Sequence, residues 1–520
     1  MECKALGPSA GRLPLFEWVL LLVSVSARET LRTRRRPNFH MRESDSLLPP
    51  SPMFGNSGPF SGRGAWREFM PFAVLFSVNH GTVTSTLSLA SSLIDSSNAG
   101  LSNGLLYLLY ASTSLLLAVP VLRQLGVKRT LILAMALFAM YVGAFLLAMI
   151  EAVELPAALI GGVLGGIAAG LLWTAQGAYL THSSSLHATR LNCSKPEATS
   201  RLSGAFATVL LSLELAFKLL SSVLLGVLDQ DQGDGSSTAK VVMLVIFSAS
   251  AMASAVLAPC FISDVEKAAT TECTSEAAAE SAAAEDAESK GKPEGLAPTA
   301  ATEVDTAGLR THIMSTIGAT VRLCIEQPKI LLLAPFNMAF GLQTALVAQT
   351  MNDVLATQGL GTLSVGILSS VSVGVAALLA APISAFRDRK VTVMNSASVC
   401  FVLENILFGI YLHFDVPGQY HNHWQGWLLM LLPYALQGVG RAAYESVNKA
   451  LTADIFAKDS EAAFANILLQ SGFSSALFFF VLPSLPWGVS LCLTSLASML
   501  SLPCLLLLMY IVRHESHDHE

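Results

Sequence analysis

The chain has 520 residues, 52% of them hydrophobic and only 13% charged, with a mean hydropathy of +0.56. A soluble protein of this length carries about a quarter charged residues, so the composition excludes an ordinary soluble globular chain and points to a membrane protein with the lipid bilayer as its first partner. The net charge of −6 is informative only through where the charges fall, and no nucleic-acid partner is expected.

Residues 1–66 read as a tail. Leu13–Ala27 is apolar but short, contains Glu17 and Trp18, and ends Val25–Ser26–Ala27, the form of a signal-peptidase site. Cleavage there would leave the basic stretch Arg28–Arg36 outside, against the charge rule. Three readings stay open: a chain that effectively begins near Met41, a targeting segment, or a membrane-surface segment. Glu43, followed by Leu47 and Leu48, has the spacing of an acidic dileucine sorting signal. If the signal is read, it sends the protein to an endosomal, lysosomal or vacuolar membrane; chance occurrence leaves the plasma membrane open.

Apolar stretches near the roughly 20 residues needed to cross a bilayer then recur about twelve times, at 68–93, 101–122, 130–150, 156–180, 203–228, 240–262, 330–352, 360–384, 391–413, 425–447, 463–484 and 487–512. Basic residues collect in alternate loops: Arg123, Lys128 and Arg129; Arg190, Lys195 and Arg201; Lys267 to Lys329; Arg387, Arg389 and Lys390; Lys449 and Lys458. The positive-inside rule places these loops and both termini in the cytosol, with Lys240 the main exception. The sequon Asn192–Cys193–Ser194 falls in such a loop and is expected to stay unglycosylated.

The first span carries Asn79 and His80, either functional groups at membrane depth or a helix-to-helix contact. In the fourth, Gly161/Gly165 and Gly162/Gly166/Gly170 recur every fourth residue, a small-residue face for close helix approach. Trp173, Gln176 and Tyr179 follow; the two aromatics could be interfacial anchors, whereas Gln176 has no such role. Glu214 and Lys218 in the fifth span are four apart and read as a mutually neutralising structural pair, with a proton-coupling Lys218 the alternative. From Asp264 to Asp305 eleven acids and three lysines sit in Ala/Ser/Thr-rich sequence that cannot fold alone. Leu309, Ile313, Ile317 and Val321 then mark one apolar helical face at the membrane surface.

The two halves look like repeats. Pro71, Phe72, Phe76, Asn79 and Arg123 recur 264 residues later as Pro335, Phe336, Phe340, Gln343 and Arg387. The expected organisation is a tail over 1–66, a six-helix bundle over 67–262, a linker over 263–327, a second bundle over 328–512 and a His/acid-rich tail over 513–520. Glu404 and Asn405 in the ninth span have no evident role. Arg441 and Glu445 in the tenth are four apart, so an intrahelical pair is expected, fixing that span against the fourth near Trp173 and Gln176. Arg441 could instead snorkel to the interface.

No phosphate loop, nucleophile elbow or HExxH is present, so no enzyme and no cofactor is expected. The eight cysteines are scattered without disulfide or metal spacing, and the histidines of His514–Glu520 read as a solvated tail and not a metal site.

GLLWTAQGAY at 170–179 and the GxGRxxxExxNKAxxADxF pattern from Gly438 to Phe456, followed by AFANI at 463–467, resemble the uncoordinated-93-like branch of the major facilitator superfamily. The resemblance spans roughly Arg67 to Arg513 without the linker. It implies a major facilitator fold, twelve transmembrane helices in two six-helix repeats, with a central cavity lined by the first, fourth, seventh and tenth spans. Those spans carry Asn79, His80, Trp173, Gln176, Asn337, Gln343, Arg441 and Glu445. The loops LRQLGVKRT and FRDRKVT are degenerate forms of the superfamily loop motif; only the second keeps an acid, Asp388. The function implied is a transporter-like role for an unknown small solute or ion. The alternative, also implied by the resemblance, is a regulator or trafficking partner of ion channels or membrane receptors.

Overall fold

In the computed structural model every one of the twelve expected stretches is helical. It describes residues 63–191, 193, 195–229, 235–265, 320–384, 386, 389–419, 424–456 and 459–518. The sorting motif Glu43/Leu47/Leu48, Asn192, residues 266–319 of the linker with Leu309, Ile313 and Ile317, Arg387 and Asp388 lie outside the described residues. In the first half the helices are α1 (Arg63–Leu93), α2 (Ser96–Leu116, continued as Ala118–Leu125), α3 (Val127–Ala148), α4 (Glu154–Leu191), α5 (Lys195–Asp229) and α6 (Gly235–Phe261). In the second they are α7 (Lys329–Ala345, continued as a π-helical stretch Leu346–Thr357), α8 (Thr362–Ser384), α9 (Lys390–His413), α10 (Trp424–Ala442, then π-helical Ala443–Asn448 and α-helical Lys449–Ile455), α11 (Ser460–Val481) and α12 (Trp487–Asp518).

Nine of these helices are long and apolar enough to cross a bilayer, ten if the two pieces of α2, bent by 59°, form one span. The bend follows from Pro120, which cannot donate to the carbonyl four residues back and clashes with it. α1 and α10 are not among the ten. α1 carries Asn79, His80 and a Ser/Thr-rich second half, and α10 carries Gln425, Gln437 and Arg441, which lower their hydropathy. Several helices outrun the apolar stretches that announced them. α4 and α5 run on to nearly meet at 191–195, and α12 continues through the expected tail to Asp518, where Glu515 pairs with Lys329 at 2.6 Å.

Helix packing repeats with a period of six. α1 packs on α5 and α6 as α7 packs on α11 and α12; α4 packs on α2 and α3 as α10 packs on α8 and α9; α3 lies on α6 as α9 lies on α12. Two six-helix halves of one design follow. The glycine face of α4 is used as its spacing suggests: a Cβ at Gly162 or Gly166 would stand 2.5 Å from the Ser102 or Leu106 carbonyl oxygen of α2.

The halves meet along two seams, α5 on α8 and α2 on α11. At the face away from the basic loops they are also stitched by hydrogen bonds. Ser92 Oγ and Thr357 Oγ1 lie 2.6 Å apart, Asn352 Nδ2 donates to the Ser88 carbonyl at 3.0 Å, Ser222 Oγ to the Leu363 carbonyl at 2.8 Å, and Gln349 Nε2 to the Ser96 carbonyl. Toward the basic loops, Arg190 pairs with Glu68 and Lys390 with Asp454, each within its own half. The hydrogen bonds between the halves named above all lie at the opposite face.

Candidate functional site

Five charges form a ladder where the two halves meet. On α5, Glu214 and Lys218 share a face because they are one turn apart; on α10, Arg441, Glu445 and Lys449 descend toward the basic loops. Arg441 reaches across the seam: its Nη1 and Nη2 donate to Glu214 Oε1 and Oε2 at 3.0 and 2.9 Å. This is the two-pronged geometry in which a guanidinium binds a carboxylate most strongly. Lys218 Nζ stands 3.9 Å from the same carboxylate and donates to α1, to Ser88 Oγ at 2.5 Å and to the Thr84 carbonyl at 3.4 Å. Glu445 is taken by Lys449 at 2.5 Å.

The intrahelical Arg441–Glu445 pair expected from spacing is therefore not formed, and α10 lies on α8 and α9 and not against α4. The cause is the solvation of the two acids within reach of Arg441. Across the seam a carboxylate offers both oxygens to one guanidinium in a site where its side chain is 2% exposed. A charge taken out of water needs a partner far more than an exposed one does. The Glu214–Lys218 pair exists, but as one arm of a three-charge cluster and not as a self-contained neutral unit.

Exposure grades along the ladder. Lys218 and Glu214 side chains are 5% and 2% exposed, Arg441 is 24%, and Glu445 and Lys449 are 40% and 39%. Arg441 thus stays in the seam and does not snorkel. A Cβ at Gly177 on α4 or Gly204 on α5 would meet nothing within 4 Å.

The remaining expected cavity residues divide. His80 is buried, edge-on to Trp173 with ring centroids 5.2 Å apart and tilted against Phe76. Gln176 is half-buried on α4. Asn79 is spent inside its own half, donating to the Met135 and Ala251 carbonyls of α3 and α6 at 3.1 and 3.2 Å. Asn337 is likewise spent, giving its Nδ2 to Gln470 and receiving Asn448 at 2.8 Å. Gln343 faces Glu404 of α9. Tyr179 is no interfacial anchor: it is fully buried with its ring centroid 4.1 Å from that of Phe72.

Sequence reasoning missed Glu214 as the partner of Arg441, although two charged spans with complementary members were a signal. It also missed a polar chain between the halves. Tyr434 donates to Asn352 Oδ1 at 2.6 Å, Asn352 to the Ser88 carbonyl, and Ser88 Oγ receives Lys218. Among the described residues no three His, Cys, Asp or Glu side chains group as metal ligands would.

Solved structures with the same fold include several transporters by their titles. A bacterial homologue of the human drug peptide transporters PepT1 and PepT2 matches with a TM-score of 0.55 at 13% identity, over 87% of this chain and 99% of that one. The nucleoside transporter NupG matches at 0.56 and 11%, over 84% and 99%. The xylose transporter XylE from E. coli, in a partially occluded inward-open conformation, matches at 0.53 and 12%, over 87% and 97%. At these identities the likeness shows the fold alone, that of the major facilitators. No curated protein matches the chain. The family model described as ion channel regulatory protein UNC-93 matches residues 92–506, most of the chain and both halves of the ladder, and the chain belongs to the UNC-93 family.

Proposed function

We propose that the protein carries a small polar or charged solute across a membrane by rocking its two halves about the charge ladder. The observation that supports this most is the Glu214–Arg441 bridge, a buried two-pronged contact between the halves. A rocking motion must break or re-form it, so it acts as a latch on one state. Trp173, Gln176, Arg441, Glu445 and Lys449 are the side chains placed to meet a solute entering at the end of the basic loops. The positive-inside rule favours that end, and both termini, on the cytosolic side. The description of the family model favours a second reading, a non-transporting regulator or trafficking partner of an ion channel or receptor; there the ladder only fastens the halves.

Purified full-length protein in liposomes, screened against labelled solutes and ions, separates the two. Transport predicts uptake of at least one solute above protein-free liposomes. Oxidising Ser92→Cys and Thr357→Cys to a disulfide should stop that uptake, and a reductant should restore it. No uptake of any solute, together with a channel that co-purifies with the protein, would select the regulator.

A further inference from the structure

Glu404 lies mid-way along α9 with no exposed surface, inside the second half and apart from the ladder. Neither carboxylate oxygen makes a hydrogen bond of normal geometry, and Gln343 of α7, which stands close enough to interact with it, likewise leaves both its amide nitrogen and its oxygen without one. The surroundings offer no counter-charge. Tyr434 of α10 has given its hydroxyl to Asn352, and Cys400 stands one turn back on α9. From α12, Ser495 receives the neighbouring Asn405. No cationic side chain among the described residues reaches Glu404.

An ionised carboxylate held this way would carry the full cost of an unpaired buried charge. One proton removes that cost and satisfies the whole group. A neutral carboxyl offers one O–H donor and one carbonyl acceptor, and a primary amide offers the complement. Closed on each other by small side-chain rotations, Glu404 O–H donates to Gln343 Oε1 while Gln343 Nε2–H donates to the second Glu404 oxygen. All four unpartnered atoms are then used. A hard cation fits worse, since it takes about six oxygens where three stand free, and it would leave Gln343 Nε2 unpaired.

We propose that Glu404 and Gln343 form a proton-binding site in the second half, which holds one proton in this conformation. The first half has no counterpart, because Asn79, 264 residues before Gln343, gives its amide to backbone carbonyls of its own half. Gln343 also lies just before the π-helical stretch Leu346–Thr357, whose Gln349 and Asn352 hold the stitched face to the first half. Movement of α7 that opens that face separates Gln343 from Glu404 and frees the proton. The site requires no transported solute, so it stands or falls apart from the transport reading.

Infrared difference spectroscopy of the full-length protein in liposomes tests it. At neutral pH the wild type should show a protonated-carboxyl C=O stretch that shifts on exchange into D2O. Glu404→Gln should remove that band, and Gln343→Leu, which deletes the amide partner, should displace it. If Glu404→Gln fails to fold, the displacement in Gln343→Leu decides alone. Absence of the band in the wild type, or a band unchanged in the variants, overturns the proposal. So does a carboxylate band that moves when Na⁺ is added at fixed pH, which would make the pair a cation site.

Discussion

At the scale of single residues, the charges of the ladder are not equivalent, because their solvation differs. Glu214 has almost no contact with water, so removing Arg441 leaves a carboxylate with only Lys218, 3.9 Å away, to balance it. Breaking a buried pair from one side costs about 3–5 kcal/mol, comparable with much of a protein's net stability. Arg441→Met should therefore sharply lower the yield of monodisperse protein in size exclusion from detergent. The triple change Glu214→Leu, Lys218→Met and Arg441→Met removes every buried charge and should recover most of that yield. Glu445→Ala should cost little, because the Glu445 and Lys449 side chains are 40% and 39% exposed and exposed pairs contribute about 0–1 kcal/mol. A loss in Glu445→Ala equal to that in Arg441→Met would return the pairing to the one that spacing alone suggests.

At the scale of elements, the helices approach one another where side chains are missing, and the closeness differs from glycine to glycine. A Cβ on Gly341 of α7 would stand 2.2 Å from both the Ser471 carbonyl oxygen and Ser474 Oγ of α11. The backbone oxygen cannot move without parting the helices, so Gly341→Ala should destabilise by roughly 1–3 kcal/mol, the range for overpacking. Gly177 on α4 is exposed and a Cβ there meets nothing. Gly177→Ala should be neutral or stabilising by up to about 1 kcal/mol, the helix-propensity difference. Thermal unfolding of the two variants side by side reads this directly, and equal melting points would contradict the packing described. The π-helical stretch on α7 matters for the same reason of register: it carries Gln349 and Asn352, which bond to α2 and α1.

For the whole molecule, two halves of one design are fastened by hydrogen bonds at the face away from the basic loops. The rocking transporter proposed above predicts one-sided access. A membrane-impermeant thiol reagent should label Glu445→Cys from the side of the basic loops only, and should not label Ser92→Cys from either side, since Ser92 is buried in the stitched face. In the proposed orientation, which puts the basic loops in the cytosol, labelling of Glu445→Cys requires permeabilised cells. Labelling from outside intact cells would overturn either the orientation or the one-sided access.

The sequence by itself determined the membrane class, the positions of the helices, the two-fold repetition and the family, because each is written in local terms. Hydropathy over a window sets a span, glycines four apart set a helix face, and a constant offset of 264 residues sets the repeat. The ends of α4, α5 and α12 were not legible, since a helix can continue past the apolar stretch that announces it when its exposed turns find partners, as Glu515 finds Lys329. Only the tertiary structure decided which charges pair. Arg441 had an acid four residues away and takes one 227 residues away, because the choice depends on desolvation at a seam, which arises only when the helices pack. Glu404 and Gln343 became a site for the same reason: their partnership is a fact about what surrounds them, and no spacing along the chain records it.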